Sequence, residues 1–285
     1  MSTKQATNCS QQVQKIKDKG FIVADDAACE AFFDQHNYYR VSAFLLPFRR
    51  KDKTYFKGVP FSRIQSIYFF DSDLRNLITK IIESIEMYCR TKFARQFTDA
   101  YGALGYMNGT NYASIHNHQK FLGYIQQYIQ DNRKTPVVTH HMTNYGGDFP
   151  IWVMIEYFSL GTLSYFYSDM KTPDQKAIAF EFGTSVPCMK SWMRCITDLR
   201  NRCAHFSRLY YWAFPAVPRM PTGINYVSDH TLFSQIVMLS YLFPNRSEWN
   251  NELLPQLDNL LNKYLPNISL KHIGFPANWG VLLTR

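Results

Sequence analysis

In the run Asp198-Leu199-Arg200-Asn201-Arg202-Cys203-Ala204-His205-Phe206-Ser207-Arg208-Leu209-Tyr210, an imidazole and several guanidinium groups fall within about two helical turns of one another. A histidine moves a proton near neutral pH. An arginine holds a phosphate through two parallel hydrogen bonds and stays charged while doing so. Together they are the minimum equipment for breaking a phosphodiester without a metal. Arg200 and His205 are the candidate catalytic pair, with Asn201 beside them to orient the ring or the phosphate. Lys190, Arg194, Arg202, Arg208 and Tyr210 extend this into a candidate RNA-binding surface. Spacing alone leaves a plainer reading open, in which Arg200 or Arg202 pairs with Asp198 and His205 sits at the edge of a core.

The run needs a helix to carry it, and Pro187 opens one. Trp192, Cys195, Ile196, Leu199, Cys203 and Phe206 form its apolar stripe, while Asn201, His205 and Arg208 fall at i, i+4 and i+7 on a polar face. Arg200 lies five residues before His205, about 140° round the axis, so the two flank one groove instead of stacking. They close on a shared phosphate if the helix kinks or frays, or if a second copy faces them.

The rest of the chain also reads as helix after helix. Gln11–Lys19, a segment capped by Asp25 or Asp26, and Tyr38–Phe48 with its Pro47 come first. Ser62 to about Ala100 repeats apolar residues from Leu74 to Phe97 at three- and four-residue steps, and its Glu86 and Arg90 are spaced to pair. Tyr112–Ile129, Ile151–Leu160, Thr162–Ser168, Pro173–Phe182, His230–Phe243 and Ser247–Leu265 follow. Asp131–Asp148, with Pro136, Gly146 and Gly147, reads as an exposed loop and the internal boundary between an N-terminal helical region, 1–135, and a C-terminal one, 150–285, unless the two form one continuous domain. Arg208–Asp229 and the tail from Ser269 read as irregular. The expectation is an all-α protein.

The chain has 285 residues, 46% hydrophobic and 16% aromatic, which describes a packed globular protein. Its formal net charge of +9 favours a polyanionic partner. The six cysteines contain no C-x-x-C pair and read as small buried residues of a reducing, cytoplasmic protein with no metal or other cofactor. No apolar run nears the ~20 residues of a membrane span. His116-x-His118 resembles a ligand pair, yet residues two apart face away from each other on a helix. Arg133 and His140 repeat the Arg/His spacing inside the expected loop and read as a chance match. Tyr38–Lys57 mixes aromatic and basic residues, suited either to stacking bases and holding phosphates or to a core flanked by a solvated loop.

Leu199 to Leu209 resembles the signature of the abortive-infection Abi family (AbiD/AbiF type), a branch of the HEPN superfamily, which reads roughly Leu-Arg-Asn-x-Cys-Ala-His-x-Ser-Arg-Leu. Asn37-Tyr38-Tyr39-Arg40-Val41-Ser42 is similar to its Asn-Tyr-Tyr-Arg-Leu-Ser element. Tyr68-Phe69-Phe70-Asp71 with Leu74-Arg75, Ile82 to Glu86, and Arg90-Thr91 resemble its long central helix. Tyr101-Gly102, Gly105-Tyr106, Pro150-Ile151-Trp152 and Phe158 to Ser164 add matches in the same order, over residues 10 to 215. The C-terminal seventy residues carry no recognisable motif.

The resemblance implies a multi-helix HEPN-like bundle with additional helices, and a metal-independent ribonuclease whose Arg and His positions are Arg200 and His205. RNA supplies its own 2′-hydroxyl nucleophile, and the products would be a 2′,3′-cyclic phosphate and a 5′-hydroxyl. One imidazole serves poorly as both acid and base of an in-line displacement, so a homodimer pairing two copies of the motif is expected. The resemblance further suggests a toxin of antiphage defence accompanied by a structured non-coding RNA. Phe206 and Tyr211 depart from the family, which often carries a polar residue or His, and Asn, at those places. Two other functions remain: RNA binding without cleavage through the same arginines, or a protein-interaction domain with a structural His205.

Overall fold

In the computed structural model, which describes residues 5–285, the chain before residue 60 folds into three helices, α1 (Cys9–Asp18), α2 (Asp26–Gln35) and α3 (Tyr38–Ser42). Asp25 caps α2 by accepting the N–H of Ala28. A 3₁₀ stretch, Ala43–Phe48, absorbs Pro47 directly after α3. Then α4 (Phe61–Tyr101) runs for 41 residues, about 60 Å, and stops at Gly102, whose φ of 78° suits a residue without a Cβ. Its apolar stripe, from Ile64 to Phe97, is buried throughout.

Ten further helices follow. They are α5 (His118–Asp131), α6 (Pro136–Asn144), α7 (Ile151–Met154), α8 (Leu160–Asp169), α9 (Thr172–Glu181), α10 (Val186–Ala204), α11 (Leu232–Leu242), α12 (Arg246–Glu248), α13 (Leu254–Tyr264) and α14 (Trp279–Leu283). Among the described residues there are no strands, only isolated bridges such as Ile22 with Pro60. The fold is all-α, as expected. None of the described helices is long and apolar enough to cross a membrane.

Everything gathers on α4, which packs against α3, α7, α8, α9, α10, α11 and α13. The buried residues from Val13 to Leu283 form one cluster. The proposed boundary at Asp131–Asp148 is therefore no division of the core. That stretch is not a loop either: Pro136 starts α6, and Thr135 caps it by accepting the N–H of Val138. Two other helices are shorter than the periodicity implies. Asn117 caps α5, so Tyr112 to His116 lie before it. Ile151–Leu160 breaks at Phe158, whose carbonyl, with that of Ile155, accepts from the Arg90 guanidinium. Arg90 also pairs with Glu86, as its spacing suggested.

One buried carboxylate ties α4 to the chain beyond α10. Asp71 is wholly buried. Its Oδ1 accepts the N–H groups of Leu209 and Tyr210 at 2.8 and 2.6 Å, and its Oδ2 pairs with Arg75 one turn along α4. The C-terminal part buttresses the same segment. The Tyr210 hydroxyl accepts the N–H of Ser269 at 2.9 Å and bonds the His272 ring at 2.7 Å. Below it, α11 is apolar on nearly every side and buried along its length, and Tyr264 on α13 donates to Asp73 of α4 at 2.8 Å.

Removing one partner of a buried, hydrogen-bonded ion pair strands the other, at a cost of about 3–5 kcal/mol. Asp71→Ala also orphans two amides, so it should cost at least that much. Urea titration of Asp71→Ala against the parent measures it; a loss under about 1 kcal/mol would mean that the pair holds nothing in place.

Candidate active site

Ser185 caps α10 by accepting from Cys188, and Pro187 stands in the first turn, where a missing N–H costs nothing. Cys188, Met189, Trp192, Met193, Cys195, Ile196, Leu199 and Cys203 face the core. Five of the six cysteines are buried and all are free; burial pushes the thiols of Cys195 and Cys203 up to about 12, which fits inert packing residues. The helix ends at Ala204 with His205 as its C-cap. The N–H of Phe206 bonds the carbonyl of Cys203 at 3.0 Å and that of Ser207 the carbonyl of Arg202 at 2.8 Å, a Schellman closure. Such a closure ordinarily has glycine in the left-handed position. Here Phe206 occupies it, with φ of 53°, at a backbone cost of about 1–2 kcal/mol.

His205 is exposed, and its ring makes no hydrogen bond among the described residues. It opens on a groove of about 770 Å³ whose walls come from α3 and from residues 205–212. Lys19, Arg40, Arg75, Arg202 and Arg208 line this groove, with no carboxylate among the lining residues. Asp71, buried close to these guanidinium groups, is already committed to Arg75. The Arg202 guanidinium lies 3.7 Å from the centroid of Trp212 and donates to the Arg208 carbonyl at 3.2 Å. Arg208 reaches across to the carbonyl of Ala43, just after α3. Burial lowers the proton affinity of both guanidinium groups, opposed by Asp198 and Asp71 at Arg202 and by Asp71 at Arg208.

The structure separates residues that their spacing had grouped. Arg200 and Asn201 are exposed, but Arg200 lines a different depression, beside Glu83, Glu86 and Arg90. Arg200 and His205 therefore do not flank one groove within a single chain, and α10 stays helical up to His205 with no fraying to bring them together. Lys190 and Arg194 line a third depression near the start of α10, with Arg219. Arg208 is off the helix altogether, because α10 has already ended. Tyr210 is 1% exposed, so its place is in the core and not on an RNA-binding surface; burial pushes its hydroxyl up to about 12. The alternative pairing with Asp198 does not form. Neither Arg200 nor Arg202 makes a salt bridge to it among the described residues, and Asp198 Oδ2 is buried without a partner.

Other expectations change in detail. His116 and His118 do not face apart, because α5 begins only at His118. Their rings meet at 3.2 Å, Asp169 sits 2.9 Å from His116, and the Met107 carbonyl 2.9 Å from His118. No group of three or more His, Cys, Asp or Glu able to hold a metal ion occurs among the described residues. His140 lies on α6 and bonds Asn144, far in sequence from the groove's residues. The Tyr38–Lys57 segment divides: Phe44, Leu45 and Phe48 enter the core, while Tyr39 and Arg40 stay outside. Lys19, Arg75 and Trp212 were not expected at the site, though Arg75 had a local signal, four residues after Asp71; Arg40 belongs to the mixed aromatic and basic segment for which phosphate binding was one of two readings.

A family model described as Abi-like protein matches residues 31–211, well over half of the chain, from within α2 to just past Tyr210. No curated protein and no solved structure matches.

His272 offers a pH test of the buttress. Tyr210 accepts from Ser269, which leaves its own proton available to Nδ1 of His272, an arrangement that takes the neutral ring. Burial and, secondarily, Arg63 hold this ring below its ordinary value of 6.5. A base depressed in the folded state binds protons more readily when unfolded, so its contribution is full above about pH 6.5 and declines as pH falls below that. Urea midpoints at pH 7.5 and 5.5 should therefore drop less on acidification in His272→Gln than in the parent. An equal drop in both would place the acid sensitivity elsewhere.

Proposed function

From the premise that this chain belongs to the Abi-like protein family, we propose that it is an abortive-infection defence protein of the HEPN type (AbiD/AbiF branch) and cuts RNA endonucleolytically without a metal. The observation that carries this reading is the exposed ring of His205 at the mouth of a groove lined by cations and free of carboxylates. A buried or salt-bridged His205 would have no access to a phosphate.

In this reading the 2′-hydroxyl of RNA attacks the adjoining phosphorus. His205 takes that proton, or returns one to the departing 5′-oxygen. Arginine stabilises the charge that grows on the non-bridging oxygens. Arg200 faces another depression of its own protomer, so it reaches the phosphate held at His205 only from a second copy. Two chains related by a two-fold axis would set His205 of each near Arg200 of the other. That pairing also supplies two imidazoles, one for each side of the in-line displacement. Asn201, exposed on the turn between them, is free to orient a ring or an oxygen. The strong basic charge suits a bound structured RNA as well as a substrate.

Binding without cleavage is the second reading, favoured by the 140° of helix that separates Arg200 from His205 in one chain. Purified protein incubated with RNA in EDTA distinguishes the two. The proposal expects cleavage that leaves 2′,3′-cyclic phosphate ends and falls at least about 100-fold in His205→Ala, the scale of a lost general acid–base group. Salt-sensitive binding with no cleavage would leave the second reading. Native mass measurement should give two chains per particle; a monomer that cuts RNA would remove the composite site.

A further inference from the structure

We propose that Tyr39 and Arg40 form an RNA-binding platform, in which Tyr39 stacks an unpaired base beside the phosphate presented to His205 and Arg40 holds the neighbouring backbone. This rests on the ribonuclease reading for the identity of the ligand, and it names a form of RNA and two contact residues.

The platform comes from a segment more than 160 residues before the His205 motif. Arg208, bonded to the Ala43 carbonyl, brings the two together across the groove. Tyr39 is held by its backbone at both ends. Its N–H is accepted by Asn37 at 2.8 Å, and its carbonyl accepts the Ser42 hydroxyl at 2.8 Å. The residue is nevertheless 83% exposed. A fixed backbone with a free ring is what a stacking surface requires, because little motion is left to lose on binding.

The opposite wall repeats the pattern. Phe206 holds a left-handed backbone that glycine would adopt without strain, and the residue is 63% exposed, so burial does not compensate the strain. What the ring does contact is Arg40, whose guanidinium carbon lies 5.8 Å from its centroid. The exposed rings of Tyr39 and Phe206 thus line a groove whose ionisable lining residues, His205 apart, are cations and tyrosines. Rings recognise base faces, which are available only where the strand is unpaired, and cations recognise the backbone between them. The volume of about 770 Å³ lies in the range of small-molecule sites, room enough for an unstacked base.

The test uses the full chain carrying His205→Ala, so that RNA stays intact, and a fluorescein-labelled 12-nucleotide RNA, single-stranded or annealed to its complement. Anisotropy should show that adding Tyr39→Ala weakens binding of the single strand roughly ten-fold and of the duplex hardly at all, and that Tyr39→Trp restores it. Arg40→Ala should lower the salt dependence of single-strand binding by about one phosphate contact. Phe206→Gly should weaken single-strand binding without lowering the melting temperature, which separates ligand contact from damage to the fold. Equal weakening for both forms of RNA, or none, overturns the proposal. The cleavage assay keeps the two ideas apart. Tyr39-dependent single-strand binding with no cleavage by the parent supports the platform and defeats the nuclease. His205-dependent cleavage with Tyr39→Ala binding unchanged does the reverse. A parent chain that binds neither form of RNA defeats both.

Discussion

The Asp71 carboxylate is the constraint on which the rest depends. A charge with no access to water is tolerable only if its partners replace the lost hydration. Arg75 and the amides of Leu209 and Tyr210 do so, and the direction of each is consequential. Arg75 locks the carboxylate to α4. The two amides lock the chain immediately after α10, so that His205, capping that helix, cannot swing away from α4. Burial pushes the Asp71 carboxyl above its ordinary value, while Arg75 and the two amides act in the opposite sense. Arg208 adds a weaker pull in that same sense. One acid thereby sits under a floor of guanidinium groups and leaves the groove above it with surplus positive charge.

That surplus needs walls, and they come from two distant parts of the chain. On one side α3 presents Tyr39 and Arg40; on the other the residues after α10 present Phe206 and Trp212. The groove exists because Arg208 spans from the second wall to the first, and because Tyr210 is anchored from behind by Ser269 and His272. Residues beyond 211 lie outside the family match, yet they share the same core and fix the back of the segment that carries the site. Apart from Trp212, which lines the groove, they act as a buttress: α11 and α13 pack on α4, and Ser269 and His272 hold Tyr210.

The all-α class and the central helix were legible in the sequence, because a stripe running from Leu74 to Phe97 has one period and one solution. Helix starts were legible where the sequence signals them, as with the cap at Asp25 and the first-turn Pro187. The loop expected at Asp131–Asp148 does not form because Pro136, a breaker inside a helix, starts one after the cap at Thr135. The site was legible in its residue types but not in its grouping. Helical geometry placed Arg200 and His205 140° apart; whether that angle spans one groove or two depends on the surrounding packing, which sets Arg200 in a depression with Glu83 and Glu86 of α4 and His205 in another. Arg208 was projected onto a helix that Phe206 closes early in a conformation normally left to glycine. Tyr210 resembled a base contact by type, and only the tail at Ser269 and His272 shows it to be core. Arg40 lay in a segment suited to holding phosphates, but its place beside His205, like those of Arg75 and Trp212, comes from long-range packing, which no local spacing reveals.

The most direct test of the account watches the His205 ring itself. The chain has eight histidines, and labelling their rings with ¹³C and ¹⁵N separates their signals, with His205→Ala assigning one of them. A single-stranded RNA carrying 2′-deoxy sugars cannot cut itself but retains its phosphates. On titration with this strand, the account predicts that the His205 resonances shift with saturation while those of buried-side His272 stay put. RNA that binds and moves other histidines, with His205 unchanged, would contradict it.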